Sequence, residues 1–300
     1  MKKEILKMSK AEKKKWSIGK KVVVIILAVI FVLLAAAVTG GLVYLHSYCQ
    51  TKDYNIISTA DITDKEVTLI AHRGFSAVAP ENTAPAFQEA GLAGFGAAEC
   101  DIYRTKDGKW IIHHDSHTYR MMDKSAYVEK LTYDEIMEYT YDNGSNIANY
   151  PELKVCTLEQ YLDICNQYDM IPVIELKGAN NTEHYDEIVT SVEERDLTDK
   201  VVYISFHLDN LKKLRELSED STLYYLVHTI DEQAINDALS LGGKCGIDFN
   251  GNREANTKEI IQQCFDKGLL MGAWTIDTPE ALNRMLDCGV TLITTNAIRP

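Results

Sequence analysis

Hydrophobic and polar positions divide this chain into two regimes. Residues 22–45 form an apolar run of 24 residues with no charged side chain. As a helix this run is about 36 Å long at ~1.5 Å per residue, enough to cross a hydrocarbon core with some tilt. From residue 66 onward, short β-rich apolar runs alternate with segments of helical period. Strands are expected at 67–72, 97–102, 170–176, 201–206, 222–227, 245–249, 269–276 and 291–295. Helical patterns fall at about 83–93, 184–195, 208–218, 231–241, 256–267 and 279–288, with two more at 132–140 and 157–168 before the third strand. Strands separated by helices imply parallel βαβ units, and eight of them suit a closed (β/α)8 barrel of the TIM type. A doubly wound open sheet is the rival, but no G-x-G-x-x-G follows the first strand.

One extra strand, 110–114, breaks the alternation. It follows 97–102 after too few residues for a parallel crossover, so an antiparallel hairpin is expected. A turn centred on Asp107-Gly108 sets His114 opposite Asp101.

Charge sharpens the division. Residues 1–21 carry nine Lys and two Glu, a net +7, so the other 279 residues carry −20. An acidic body argues against a nucleic-acid partner. Lys13, Lys14, Lys15, Lys20 and Lys21 precede the apolar run and only Lys52 lies close beyond it, while Trp16, Tyr44 and Tyr48 stand where interfacial aromatics are favoured. The positive-inside rule then gives residues 1–21 as a basic cytoplasmic tail, 22–45 as a single-pass transmembrane helix in the cell membrane, 46–65 as a polar tether, and 66–300 as an extracellular domain. A cleaved signal peptide is the competing reading, and the length of the apolar run disfavours it. The seven cysteines are scattered and form no C-x-x-C pair, neither a disulfide framework nor a zinc pattern. Nothing in the pattern sets an oligomeric state.

Polar residues cluster at the expected strand ends. His72-Arg73-Gly74 closes the first strand, at the rim where barrel enzymes keep their chemistry, and Pro80-Glu81-Asn82-Thr83 follows with Thr83 placed to cap a helix. Glu99 and Asp101 share one strand face, and two carboxylates this close call for a cation between them. Glu175 and Lys177 repeat that spacing on the next barrel strand. His113-His114-Asp115 ends the hairpin; His114 should face the carboxylates and His113 the opposite side. Each motif taken alone also reads as an ordinary strand end, turn or ion pair.

Taken in order, His-Arg-Gly, Pro-Glu-Asn-Thr, Glu-x-Asp, Asp-Gly, His-Asp and Glu-x-Lys resemble the glycerophosphodiester phosphodiesterase family, a group of phospholipase C-like TIM barrels. The resemblance covers about residues 66–300. It implies His72 and His114 as the acid/base pair, and Glu99, Asp101 and Glu175 as ligands of a divalent cation, Mg2+ or Ca2+. It also implies substrate or phosphate contacts from Arg73, Lys177, Glu81, Asn82 and Trp274. The implied reaction is metal-dependent hydrolysis of a small glycerophosphodiester to glycerol 3-phosphate and an alcohol. Activity on lysophospholipids, phosphatidylinositol or glycerol-phosphate wall polymers, and a catalytically inactive anchored binding protein, are the alternatives. The chain departs from the family at Thr295-Asn296-Ala297-Ile298, where Thr-Asp-x-Pro is usual, and the expected consequence lies in rim packing or alcohol-side specificity. Residues 116–156 match weakly and are expected to shape the entrance.

Overall fold

The computed structural model describes residues 18–178 and 181–300. Most of the basic tail, with Trp16, lies outside the described residues. The chain divides into two compact units, Met1–Gln50 and Thr51–Pro300.

In the first unit, helix α1 (Ile18–Tyr48) runs for 31 residues, about 46 Å at ~1.5 Å per residue. Its stretch Ile25–Val43 is long and apolar enough to cross a membrane. Leu33 and Phe31 are 63% and 72% exposed, unlike the core helix of a soluble domain.

The second unit contains strands β1 (Ile57–Ser58), β2 (Thr68–Ala71), β3 (Ala97–Arg104), β4 (Trp110–Ile112), β5 (Cys156–Thr157), β6 (Ile171–Leu176), β7 (Val202–Ser205), β8 (Thr222–Val227), β9 (Cys245–Asn250), β10 (Leu270–Trp274), β11 (Leu292–Thr295) and β12 (Ile298–Arg299). Its helices are α2 (Ala84–Leu92), α3 (Tyr133–Met137), α4 (Leu158–Gln167), α5 (Tyr185–Glu193), α6 (Leu208–Leu217), α7 (Glu232–Ser240), α8 (Lys258–Asp266) and α9 (Pro279–Asp287). Strands β2, β3 and β6 to β11 pair in parallel, each with the next, and β11 returns to β2 to close an eight-stranded barrel with the helices outside. Every expected strand and helix is present, most within one or two residues of its expected ends.

Alternation along the strands produces two cores. Ala98, Cys100, Ile174, Ile247 and Phe249 point outward into the layer between barrel and helices, while Ile70, Ala97, Val173, Ile204, Tyr224 and Leu226 fill the barrel interior. Glu99, Asp101 and Glu175 occupy the interior register of β3 and β6, where Asp101 pairs with Glu175. Helix starts follow local chemistry: the Thr83 side chain accepts from the amide of Ala86, and Thr157 and Gln160 form a reciprocal cap on α4.

The hairpin differs from expectation by one residue. Arg104 pairs with Trp110 and Ile102 with Ile112, and the His113 amide donates to the Asp101 carbonyl at 2.9 Å. His113, not His114, therefore stands opposite Asp101. The loop between Thr105 and Lys109 has three residues, with Gly108 at φ 96°, so the turn centres on Asp107. His114 leaves the ladder just past the strand, free to turn into the barrel mouth.

The segment 46–65 is not all tether. Ile57 and Ser58 pair in parallel with Ile298 and Arg299, and Ile62 packs against the main core. Its polarity conceals a backbone ladder that needs no particular side chain. Residues 116–156 carry a small core of their own around Met121, Met122, Val128, Ile136 and Tyr141. Cys100, Cys156, Cys165, Cys245, Cys264 and Cys288 are free thiols.

Candidate active site

The C-terminal ends of the barrel strands surround a pocket lined by His72, Arg73, Glu99, His114, Glu175, Lys177 and Trp274 among others. Seven of the ten residues singled out in the sequence thus meet in one mouth. Asp101, 1% exposed, lies just beneath. Glu81 and Asn82 do not line the pocket; they hold its walls. Glu81 Oε1 binds Arg73 Nη1 at 2.8 Å and Arg120 Nη2 at 2.5 Å. Asn82 Nδ2 donates to Asp101 Oδ2 at 2.6 Å, and the Asp101 amide donates back to Asn82 Oδ1 at 3.3 Å. Their loop folds back on Arg73, whose carbonyl accepts from the Asn82 amide at 2.9 Å, and both side chains pair with the protein's own charged groups.

The backbone at the end of β2 is shaped for this. Arg73 and Asn82 adopt left-handed φ angles of 59° and 57°, a costly choice for such residues that often accompanies functional geometry. The turn aims the Arg73 amide at Glu99 Oε2, 2.8 Å away. Gly74 follows at φ 75°, where a Cβ would lie 2.6 Å from the Ala86 backbone, so only glycine fits.

The carboxylates form the electrostatic centre. Glu99, Asp101 and Glu175 bring ligand oxygens within 4.8 Å of one another. Burial and the neighbouring charges of Asp101 and Glu175 hold Glu99 well above the usual carboxylate range. Burial also pushes Glu175 up to about 7, with Lys177 opposing and Asp101 adding to the rise. Burial acts upward on Asp101 too, but Lys177, His114 and Arg73 outweigh it and keep that group well below its ordinary value. Lys177 Nζ lies 2.7 Å from Glu175 Oε1 and 2.9 Å from Asp101 Oδ1. Glu99 Oε1 is buried without a hydrogen-bond partner. An all-oxygen set of acidic groups with one orphaned oxygen suits a hard divalent cation.

The two histidines are held differently. His72 Nδ1 lies 2.8 Å from Asn296 Oδ1. Asn296 Nδ2 donates to Asp277 Oδ2 at 2.8 Å, and the Asn296 amide to Asp277 Oδ1 at 2.7 Å. Because a carboxylate takes the NH2 group, the Asn296 oxygen must face His72. Nδ1 of His72 therefore carries the proton and Nε2 a lone pair. Burial and the Arg73 guanidinium push His72 down to about 3, so it is neutral. His114 Nδ1 instead contacts the Asp115 carboxylate at 2.9 Å, and Arg120 Nε binds the other Asp115 oxygen at 2.6 Å. Burial lowers His114, against the charge of Asp101. The family departure at Asn296 thus falls in direct contact with His72.

His113 is buried away from the mouth, its ring 6.4 Å from that of Tyr141, as expected of the second histidine. Across the pocket, Phe206, His228 and Trp274 form an aromatic group with centroids 5.3–5.6 Å apart. Trp274 Nε1 donates to the Asp248 carbonyl at 3.2 Å.

Several residues escape a motif reading. Arg120 comes from the 116–156 insertion and binds Asp115 and Glu81 beside the mouth. Tyr54, from the supposed tether, has its phenol pushed up to about 12 by burial and by Asp277 and Glu81. Asn296 and Asp277 look like loop residues in sequence. Asp248 had one visible signal, a lone acid inside the apolar run Cys245–Asn250.

Comparison with known proteins agrees with this geometry. Residues 72–299 match the model of the glycerophosphoryl diester phosphodiesterase family. The chain is 26% identical over 255 residues to a glycerophosphodiester phosphodiesterase of Bacillus subtilis, covering 78% of this chain and 85% of that one. It is 25% identical over 233 residues to one of Caldanaerobacter subterraneus, covering 76% and 93%. A crystal structure of a glycerophosphodiester phosphodiesterase from Parabacteroides distasonis superposes with TM-score 0.65 at 25% identity, over 77% of this chain and 94% of that one. An Oleispira antarctica phosphodiesterase, solved in complex with the product sn-glycerol-3-phosphate, superposes with TM-score 0.69 at 23% identity, over 80% and 96%. With its barrel closed and the motif residues gathered at one mouth, this chain belongs to the glycerophosphoryl diester phosphodiesterase family.

Proposed function

We propose that the protein hydrolyses small glycerophosphodiesters to glycerol 3-phosphate and an alcohol, using His72 and His114 for proton transfer and a divalent cation held by Glu99, Asp101 and Glu175. The observation that carries this reading is the convergence of two histidines, three carboxylates and two cationic side chains on one pocket.

The two histidine environments divide the labour. His72 offers the lone pair of Nε2 and takes the proton of the glycerol hydroxyl next to the phosphorylated carbon. That oxygen attacks phosphorus. The bond to the leaving alcohol breaks, and His114 Nε2 supplies its proton. Asp115 supports the cationic form of His114, and the negative charge of an arriving phosphodiester favours it further. Water then opens the resulting five-membered cyclic phosphate with the roles reversed, His114 taking its proton and His72 returning one to the glycerol oxygen. Arg73 and Lys177 meet the phosphate oxygens, Arg73 as a planar fork and Lys177 as a point charge. When bound, Mg2+ or Ca2+ would supply positive charge for a phosphate oxygen and an adjacent hydroxyl.

Glycerophosphocholine hydrolysis by the full-length protein in detergent, followed as released glycerol 3-phosphate, tests this. EDTA is expected to abolish turnover and Mg2+ or Ca2+ to restore it; undiminished turnover in EDTA would remove the metal from the reading.

The apolar helix and the lysines before it support a single-pass anchor with the barrel outside the cytoplasm. The full-length protein is expected to pellet with membranes, to resist a high-salt wash and to leave them in detergent. Release by salt alone would contradict the anchor.

A further inference from the structure

Asp248 lies in the barrel interior on β9 and has no part in the chemistry above. It is 4% exposed and lines the mouth pocket together with Glu175 and Trp274. Its Oδ1 is buried without a hydrogen-bond partner. Leaving such an atom unpaired costs about 1–3 kcal/mol. In register, its neighbours are Leu226 on one side and Gly272 on the other. Ile204, Phe206 and the Trp274 ring make the wall mostly apolar, with Thr275 and Thr294 also lining the pocket.

Two features separate this oxygen from the metal-binding set and turn it toward a ligand. Asp248 is not among the carboxylates whose ligand oxygens gather within 4.8 Å, which are Glu99, Asp101 and Glu175. A Cβ at Gly272 would stand 3.0 Å from Asp248 Oδ1, so the glycine leaves the carboxylate room to turn toward the pocket that Asp248 lines.

The pocket volume is about 120 Å³, well below the ~300–1,000 Å³ of sites for drug-sized molecules. It holds a group of glycerol size, not an acyl chain. With the phosphate at His72, Arg73, His114 and Lys177, a three-carbon alcohol reaching into this end presents its last carbon to the apolar wall and its last oxygen to Asp248. The leaving alcohol needs an open way out and belongs on the solvent side. An ionised carboxylate accepts from a hydroxyl and a protonated one both donates and accepts, so the pairing works in either state.

We infer that Asp248 is a specificity residue that pairs with the free terminal hydroxyl of the substrate's glycerol, so that unacylated glycerophosphodiesters are accepted and those with that hydroxyl esterified or removed are refused. This rests on the phosphodiesterase reading and narrows it to one substrate class. A pocket built to bond a hydroxyl rejects the analogue lacking it by up to ~10⁴–10⁵-fold, because its own polar atom is left unpaired.

The test compares glycerophosphocholine with its 1-deoxy analogue, which carries a methyl in place of the terminal CH2OH, and with 1-acyl lysophosphatidylcholine. The full-length protein is used as wild type, Asp248→Asn and Asp248→Leu. Wild type is expected to favour glycerophosphocholine over the 1-deoxy analogue by at least ~100-fold in kcat/KM. The asparagine variant, which still hydrogen-bonds, should keep part of that preference, and the leucine variant should bring the ratio to within about threefold of unity. A ratio of two substrates on one protein is insensitive to a loss of folded enzyme. Should the leucine variant turn over neither diester, the same ratio is read from binding of glycerol 3-phosphate against 2-hydroxypropyl phosphate. Equal use of glycerophosphocholine and the 1-deoxy analogue by wild type, a preference undiminished in the leucine variant, or efficient cleavage of the lysolipid would each overturn the assignment. Turnover without discrimination removes only the role of Asp248, whereas wild type that cleaves no diester removes the phosphodiesterase reading itself.

Discussion

The two sides of the barrel mouth are made of different materials. The side built by β2, β3, β6 and the β3–β4 hairpin is nearly all charge: His72, Arg73, Glu99, Asp101, His114, Glu175 and Lys177, held by Glu81, Asn82, Asp115 and Arg120. The side built by β7 to β10 is apolar and aromatic, with Ile204, Phe206, Leu226, His228 and Trp274 around one acid, Asp248. On the charged side most polar groups hold each other, and the shifts in Glu99, Asp101 and Glu175 come from burial and mutual charge. On the other side a single polar oxygen has no partner. On the proposed reading the difference separates the labour: one wall would move protons and hold phosphate, and the facing wall would measure the glycerol.

Substitutions on opposite walls should therefore fail in opposite ways. The largest effect belongs to the histidines. His72→Ala and His114→Ala should each lower kcat by about 10²–10⁴-fold, with KM little changed. Steady-state kinetics on a water-soluble diester checks this, and full activity in both variants would remove the proton-transfer assignment. A smaller effect is expected across the pocket. Trp274→Ala should raise KM about two- to tenfold, as loss of a ring contact worth ~0.5–1.5 kcal/mol implies, and leave kcat nearly unchanged. A fall in kcat comparable to that of the histidine variants would erase the distinction between the walls.

The smallest effect concerns the histidine outside the mouth. Burial pushes His113 down to about 4, below its ordinary value of about 6.5. Between those values the unfolded chain binds a proton that the folded chain refuses. Stability from this group is thus complete above about pH 6.5 and falls with decreasing pH, by at most about 1.4 kcal/mol per pH unit. His113→Gln should flatten the loss between pH 6.5 and 4 in urea unfolding, without the loss of turnover expected for His114→Ala. An unchanged slope would show that His113 is not held neutral.

The charged wall was legible because its members come in short runs: His72-Arg73, Glu99-Cys100-Asp101, His113-His114-Asp115 and Glu175-Leu176-Lys177. Residues two apart on a strand share a face, so spacing alone predicts that such side chains converge. The facing wall has no such runs. Phe206, Asp248 and Trp274 are separated by whole βα units, and an aromatic or acidic residue on an apolar strand is as well suited to a core as to a site. Asn296 and Asp277 were obscure for the same reason, since an amide pointing at His72 has meaning only after β11 has closed against β2.

What the sequence determined by itself is what local periodicity and local chemistry control. It set the long apolar helix, the alternation that makes eight interior strand faces, the caps at Thr83 and Thr157, and the two-residue spacing that faces Glu99 and Asp101 inward. Only the tertiary structure decided the rest. The three-residue hairpin loop put His113 rather than His114 opposite Asp101. Ring closure brought Asn296 and Asp277 to His72, the insertion folded on its own small core and delivered Arg120, and an apolar wall formed around the unpartnered oxygen of Asp248. Contacts of that kind depend on register and closure between segments far apart in the chain, which no window of neighbouring residues encodes.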